Sequence, residues 1–317
     1  MRKALVVGVN YYRKVSSLSG CVNDAKKVAE KLRNNADDSK NFDVRSIISE
    51  DESNAIDRKT LKNAVKELFA HDNSIALFYF SGHGHIGETG GYICTSESTS
   101  GDDGLPLSDI ICFANQSSAK NRIIILDSCY SGALGNNQIN QKVSEIANGV
   151  IILTASTDNQ TALEQGNSGV FTTLLVDALN GAASNLVGDI TPGSVYAHID
   201  QSLGAWEQRP VFKANVKEFV SLRKIKPPIP LSELKRICEF FPYPDYEFQL
   251  DPSYEPELKN PNPENTAKFA IFRNYYRVNL LVPVGEQYCY HAAKNSKTLR
   301  LTELGKYYHK LVKDEKI

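Results

Sequence analysis

The sequence predicts an α/β protein: helices on both faces of a six-stranded, mostly parallel sheet, followed by a small C-terminal α+β domain. Three observations predict it. Runs such as Ile75–Phe80 and Ile123–Leu126 are continuously apolar, as strands buried on both faces are. Segments of helical spacing alternate with these runs through the first two thirds of the chain, the pattern of an α/β/α sandwich. At Lys224–Pro230 (KIKPPIP) adjacent prolines forbid helix and favour an extended linker, after which the character of the sequence changes. The expected division is a domain over residues 1–223, a linker at 224–230 and a second domain over 231–317.

The first strand is read at Lys3–Val9; its apolar run is too short for a signal peptide and lacks a small-residue cleavage site. A helix over Cys21–Arg33 places Ala25, Val28, Ala29 and Leu32 on one face. Strand Phe42–Ser49, helix Arg58–Ala70 and strand Ser74–Ser81 follow, the last ending just before His83. Gly84–Thr95 reads as a hairpin, because Gly90 and Gly91 support a tight turn between short arms. Strand Arg122–Asp127 is followed by a polar loop, Ala133–Asn148, and strand Gly149–Ala155. Helices are expected over Ser168–Leu179 and Pro192–Leu203, the second with Thr191 as N-cap ahead of Pro192, and the sixth strand over Pro210–Val216. Past the linker the reading is a short helix at Leu231–Phe240, a turn-rich stretch, strands Lys268–Arg273 and Tyr276–Pro283, and a last helix at Leu301–Lys313. Leu301, Leu304, Tyr308 and Leu311 share one face of that helix, which is expected to pack within the chain.

Composition narrows the function classes. With 36 basic against 37 acidic residues the net charge is −1, so no global field favours nucleic acid or an anionic membrane. Hydrophobic residues at 41% and charged residues at 23% fit a globular domain. No apolar run approaches the roughly 20 residues that cross a bilayer, so a cytoplasmic protein is expected. The six cysteines lack CxxC or His-paired spacing, so neither disulfides nor structural zinc are expected.

Chemistry is concentrated at two strand ends. Ser74–Gly84 (SIALFYFSGHG) delivers His83 into a small-residue turn, and Arg122–Gly132 (RIIILDSCYSG) delivers Asp127 and Cys129 into another. A thiol attacks only as thiolate, and a neighbouring imidazole can take its proton. If the two strands are adjacent, His83 and Cys129 emerge side by side at the carboxyl edge, where α/β proteins place their sites. The backbone N–H groups of Gly84 and Cys129 would then form an oxyanion hole, with acyl transfer as the natural reaction. Asp127 beside a thiolate would oppose its ionisation, so it is read as pointing into a pocket for a substrate cation. Asp24, beyond the same edge at the start of the first helix, supplies a second carboxylate; its rival role is to stabilise the helix macrodipole.

The runs VVGVNYY, SGCVNDA, YFSGHG, ILDSCYSG, TASTDNQTA, SGVFTTLLVDAL and QRPVFKAN resemble, in order and spacing, the caspase-like cysteine peptidases, specifically the metacaspase and bacterial caspase-like branch. The resemblance implies a caspase-like α/β/α fold, His83 and Cys129 as catalytic dyad, and Asp24 and Asp127, with Cys21 and Ser81, lining the S1 pocket. True caspases cut after aspartate with arginines in S1 and a glutamine where Asp127 stands. Here Leu18 takes the place of the first arginine, so cleavage after Arg or Lys is expected. Many metacaspases bind calcium through paired acids after both motifs. Asp102 and Asp103 are present, but LPLSD at 105–109 lacks the acidic pair and GALGNNQ after Cys129 has no carboxylate, so no cofactor is expected.

The appended domain is read as the seat of control, holding the peptidase inactive until a signal binds, with a nucleotide-type messenger in bacterial defence as the hypothesis. Lys142 in the polar loop and Arg223 in the linker region, with Lys224 and Lys226, offer basic residues for self-cleavage. The alternatives are a catalytically silent caspase-like scaffold or receptor and a thiol-dependent acyltransferase. Cys21, Cys94, Cys112, Cys238 and Cys289 are otherwise read as small core hydrophobes. His85 is read as a loop residue competing with His83 for the role of base. His71, His198, His291 and His309 are read as surface residues, and the aromatics of 240–290 as core.

Overall fold

The computed structural model describes residues 1–88, 90–100, 102–128, 146–155, 168–204, 209–216 and 218–317. The described chain divides into two compact units. One comprises Met1–Ser184 and Asp189–Lys226, the other Asn185–Gly188 and Pro227–Ile317.

The first unit is built on β1 (Arg2–Val9), α1 (Cys21–Arg33), β2 (Asp43–Ser49), α2 (Arg58–Phe69), β3 (Ile75–Ser81), the short strands β4 (Gly84–Gly87), β5 (Gly90–Ile93) and β6 (Leu105–Pro106), α3 (Leu107–Gln116), β7 (Asn121–Asp127), β8 (Val150–Thr154), α4 (Val170–Asp177), β9 (Asp189–Ile190), α5 (Pro192–Ser202), β10 (Val211–Asn215) and β11 (Arg223–Lys224). Six strands form the central sheet in the order β10-β8-β7-β3-β1-β2. All neighbours are parallel except β10, which runs antiparallel to β8. Each expected strand is present within a residue of its predicted ends.

Alternation along buried strands sorts their side chains to two faces. Ala4, Val6, Leu77, Tyr79, Ile123 and Ile125 pack against Ala25, Val28, Ala29 and Leu32 of α1 and against Phe171, Leu175, Val195 and Ile199 of α4 and α5. Leu5, Val7, Phe78, Phe80, Ile124 and Leu126 pack on the other face against Leu61, Val65 and Leu68 of α2 and Leu107, Ile110 and Ala114 of α3. Helix α3 is an element the sequence reading left out; its apolar residues at 107, 110 and 114 have helical spacing, but it is only 10 residues long. Thr191 caps α5 as expected, accepting from the Ser194 N–H. At the amino edge the buried Arg122 donates to four carbonyls, those of Ala114, Ala119, Lys120 and Asn148, tying the α3–β7 turn to the start of β8.

The second unit contains α6 (Leu231–Leu234), α7 (Ile237–Phe240), β12 (Glu247–Gln249), α8 (Pro263–Arg277), β13 (Leu281–Pro283), α9 (Cys289–Lys294), β14 (Thr298–Leu301) and α10 (Glu303–Lys313), with a three-stranded antiparallel sheet ordered β12-β14-β13. The expected strand at Lys268–Arg273 is a correction: that segment lies inside α8, and only Leu281–Pro283 of the expected Tyr276–Pro283 strand is extended. Asn262 caps α8 by accepting from the Glu264 and Asn265 N–H groups, and Pro263 occupies its first turn. Phe269, Phe272 and Tyr275 recur every three residues on its buried side, a helical spacing that overrides the strand preference of their rings.

Phe240, Phe241, Phe248 and Phe272 meet in edge and tilted ring contacts and are core as read, whereas Tyr243 and Tyr288 are exposed, a correction to the core reading of 240–290. His309 is a correction to the surface assignment: it is buried in α10 and bonds the Phe241 carbonyl through Nε2 at 2.7 Å. His198 is another, half-buried and paired with Asp177 at 2.9 Å. Leu301 and Tyr308 are buried and Leu311 packs beside them, whereas Leu304 is exposed. Of the described cysteines, Cys21, Cys94 and Cys289 are buried; Cys112 is exposed, against the core reading, and Cys238 is intermediate.

Candidate active site

The strand order reverses between β1 and β3: β2 lies beyond β1 on one side, β3 and β7 on the other. Ligands of open α/β sheets bind outside the carboxyl ends of the strands at such a switch point. Every described residue assigned to the site lies there. His83 follows β3, Asp127 ends β7 beside Ser81 in register, and Asp24 sits in the first turn of α1, which follows β1. Asn10, just beyond β1, accepts from the Val22 N–H through Oδ1 and so helps seat the start of α1.

His83 is fixed on two sides. Its backbone N–H donates to the Tyr12 hydroxyl at 2.8 Å, and the two rings lie 4.7 Å apart. Its Nε2 lies 2.8 Å from the Ser16 carbonyl oxygen. A carbonyl only accepts, so Nε2 carries the proton and Nδ1 is the basic nitrogen of the neutral ring. Burial, reinforced by the nearby thiol of Cys21, pushes the Tyr12 phenol well above its usual pKa, so it stays protonated. Tyr12 and Ser16 hold the candidate histidine at positions that sequence reasoning missed. Tyr12 closes the run VVGVNYY, but nothing in that run points to a contact with His83, and Ser16 acts through its carbonyl, which any residue supplies.

The hairpin after His83 is present as β4 and β5. The Cys94 N–H donates to the His83 carbonyl at 2.8 Å, which makes Gly84 and Ile93 a non-hydrogen-bonded pair and turns the Gly84 N–H away from the ladder. His85 pairs with Asp102 at 2.7 Å on this hairpin through Nε2. Asp103 accepts from the N–H and hydroxyl of Thr99. No group of three or more potential metal ligands occurs among the described residues. A cleft of about 180 Å³ opens beside His83, lined by Val15, Ser16, Gly84, Cys94 and Thr99 among others.

Asp24 and Asp127 are buried, at 1% and 7% exposure, and meet around one residue, Gly169. Asp24 accepts from the Gly169 N–H at 2.8 Å and from the Ser168 hydroxyl. Asp127 accepts from the Thr172 hydroxyl at 2.6 Å, and a Cβ added to Gly169 would stand 2.5 Å from its Oδ2. Ser81 and Cys21 are buried at the same edge. Cys129 and Lys142 lie outside the described residues. Arg223 lies in β11, its guanidinium donating to the Asn34 and Leu179 carbonyls at 3.0 and 2.7 Å; cutting after it requires that pairing to open.

A histidine with an oriented ring beyond β3 and two carboxylates grouped beyond α1 and β7 thus lie at the carboxyl edge of an α/β/α sandwich. The model of the caspase domain family matches residues 1–220, and the chain belongs to that family of cysteine-type peptidases. It is 32% identical over 88 residues to Metacaspase-1 of Sclerotinia sclerotiorum, a match covering 26% of this chain and 20% of the relative. It is 31% identical to Metacaspase-1A of Aspergillus niger, over 26% of this chain and 21% of that one. The matched stretch thus spans about a fifth of the curated relatives. Among solved structures, Caspase-1 of Spodoptera frugiperda is similar with a TM-score of 0.51 at 11% identity, covering 71% of this chain and 90% of that one. A protein of Geobacter sulfurreducens has a TM-score of 0.50 at 17% identity, covering 70% and 96%. These likenesses show the fold. No helix among the described residues is long and apolar enough to cross a membrane.

Proposed function

We propose that the first unit is an endopeptidase that cleaves proteins after Arg or Lys through Cys129 and His83. The observation that carries this reading is the convergence of Asp24 and Asp127 on Gly169 at the sheet edge that presents His83. Two carboxylates at one pocket select a guanidinium or ammonium group at P1.

In this reading His83 Nδ1 takes the Cys129 proton and the thiolate attacks the carbonyl carbon after the basic residue. The Gly84 and Cys129 N–H groups receive the oxyanion. As the C–N bond breaks, His83 returns the proton to the leaving amine, leaving a thioester. His83 then takes a proton from water, hydroxide adds to the thioester, and the thiolate departs and is reprotonated. The Ser16 carbonyl supports this cycle by fixing the tautomer and steadying the imidazolium.

Control by the C-terminal unit is part of the same proposal, with self-cleavage after Lys142 or Arg223 as a second layer. A cavity of that unit, about 490 Å³, is lined by Asp245, Glu247 and Glu303 against Arg300 and Lys306. Lys306 already bridges Asp245 and Glu303, so the acidic excess favours a ligand bearing a cation over a bare polyphosphate. A nucleotide-type messenger in bacterial defence would have to bring its own positive charge or metal to this cavity, or bind elsewhere.

The test is hydrolysis of fluorogenic peptides with Arg, Lys or Asp at P1 by wild type and Cys129→Ala, with and without calcium and host nucleotide extract. Cysteine-dependent cleavage after Arg or Lys is the expected result. Cleavage only after Asp refutes the pocket, and silence under every condition leaves either a missing activator or a scaffold or receptor.

A further inference from the structure

Both carboxylates of the pocket accept hydrogen bonds from an element other than their own. Both are held by the segment Ser168–Thr172, at the start of α4. Thr172 spends its only hydroxyl proton on Asp127, at 2.6 Å, so the Tyr79 hydroxyl, 2.6 Å from Thr172 Oγ1, must donate to it. The order is Tyr79 to Thr172 to Asp127. On the other side Lys27 Nζ donates to Ser168 Oγ at 3.2 Å, and Ser168 donates to Asp24. Lys27 to Ser168 to Asp24 is thus a second relay of the same form. Burial, with Asp127 and Asp24 nearby, holds the Tyr79 phenol protonated far above neutral pH, so its relay keeps one direction throughout the working range.

Hydroxyl donors fix the direction of a carboxylate without adding charge to it. This matters differently to the two basic side chains. A guanidinium is a rigid planar fork that needs its acceptors at set positions, whereas an ammonium is a point charge that tolerates their movement.

We infer that Thr172, backed by Tyr79, and Ser168, backed by Lys27, are positioning residues that set preference for arginine over lysine at P1. The inference rests on the two-carboxylate pocket proposed above and adds residues that touch no substrate themselves.

Binding tests it without requiring turnover. In the Cys129→Ala background, calorimetry with two otherwise identical peptides ending in Arg or Lys measures affinity in the parent and in Thr172→Val, Thr172→Ser and Tyr79→Phe. Thr172→Val is expected to weaken the arginine peptide about tenfold or more, the worth of one charge-assisted hydrogen bond, and the lysine peptide no more than about threefold. Thr172→Ser, which keeps the hydroxyl, is expected to restore the ratio, and Tyr79→Phe to lie between. Tyr79→Phe, which leaves Thr172 in place, keeps the test available if Thr172→Val fails to fold. Equal losses for both peptides, or a Thr172→Ser variant no better than Thr172→Val, would overturn the positioning role in favour of a structural one. Unchanged affinities would overturn it as well, with the pocket intact. If the parent binds neither basic peptide, the pocket falls and the relays with it.

Discussion

Gly169→Ala probes the pocket through sterics alone. Gly169 has φ −67° and ψ 140°, which any L-residue adopts, so the substitution brings no backbone strain. Its new Cβ would stand 2.5 Å from Asp127 Oδ2 and 3.3 Å from Cγ. Ordinary contact begins at about 3.4 Å, so one atom or the other must give by about 0.9 Å. If Asp127 yields, its 2.6 Å bond from Thr172 stretches beyond hydrogen-bonding range; if Gly169 yields, its 2.8 Å bond to Asp24 does. Loss of one hydrogen bond to a charged group is worth about 1.5–3 kcal/mol, so kcat/KM for an arginine peptide should fall about 10- to 100-fold, chiefly through KM. Steady-state kinetics beside a thermal melt separates this from unfolding. A Gly169→Ala enzyme that stays folded with wild-type kcat/KM for arginine peptides would refute the reasoning that the carboxylates are held in place from this residue.

Tyr12→Phe removes the acceptor of the His83 N–H and leaves a donor unsatisfied, at a cost of about 1–3 kcal/mol; kcat should fall severalfold or more with KM little changed, as burst and steady-state assays would show. Phe272→Ala empties the aromatic centre of the second unit, where Phe272 is wholly buried, and should lower that unit's stability by about 3–5 kcal/mol in a urea titration. Burial pushes the Cys289 thiol up to about 11 from an ordinary 9.0. The folded state therefore holds its proton where the unfolded state has lost it, so stability from this group is complete below pH 9 and declines as pH rises through about 11. A thiol reagent at pH 8 should accordingly label Cys112 well before Cys289 in the native protein, and a Cys289→Ala variant should show a shallower alkaline decline than the wild type.

The elements with regular signals were legible before the structure. Continuous apolar runs such as Ile75–Phe80, short and rich in β-branched and aromatic residues, favour a strand covered on both faces, and Thr191-Pro192 matches the start of a helix. The α8 segment shows where such reading fails. FAIFRNYY carries both strand-favouring rings and a three-residue spacing, and the cap at Asn262 settles it as helix, because the spacing is what lets Phe269, Phe272 and Tyr275 share one buried side. His309 was out of reach for a related reason: a histidine reads as a surface residue until a carbonyl, here that of Phe241, is brought to its ring inside a core.

The sequence by itself determined the fold class, the family and which residue types stand at the strand ends, because those depend on local pattern and on motif spacing. The tertiary structure alone decided how those residues are held. Ser16 fixes the His83 tautomer through a backbone carbonyl, and Tyr12 holds its amide from another loop. Asp24 and Asp127, 103 positions apart by their numbers, are joined through Gly169 and Thr172 at the start of a helix later than both. Hydrogen bonds reach about 3 Å, and which groups come within that reach depends on the packing of α1, β7 and α4 rather than on their order in the chain.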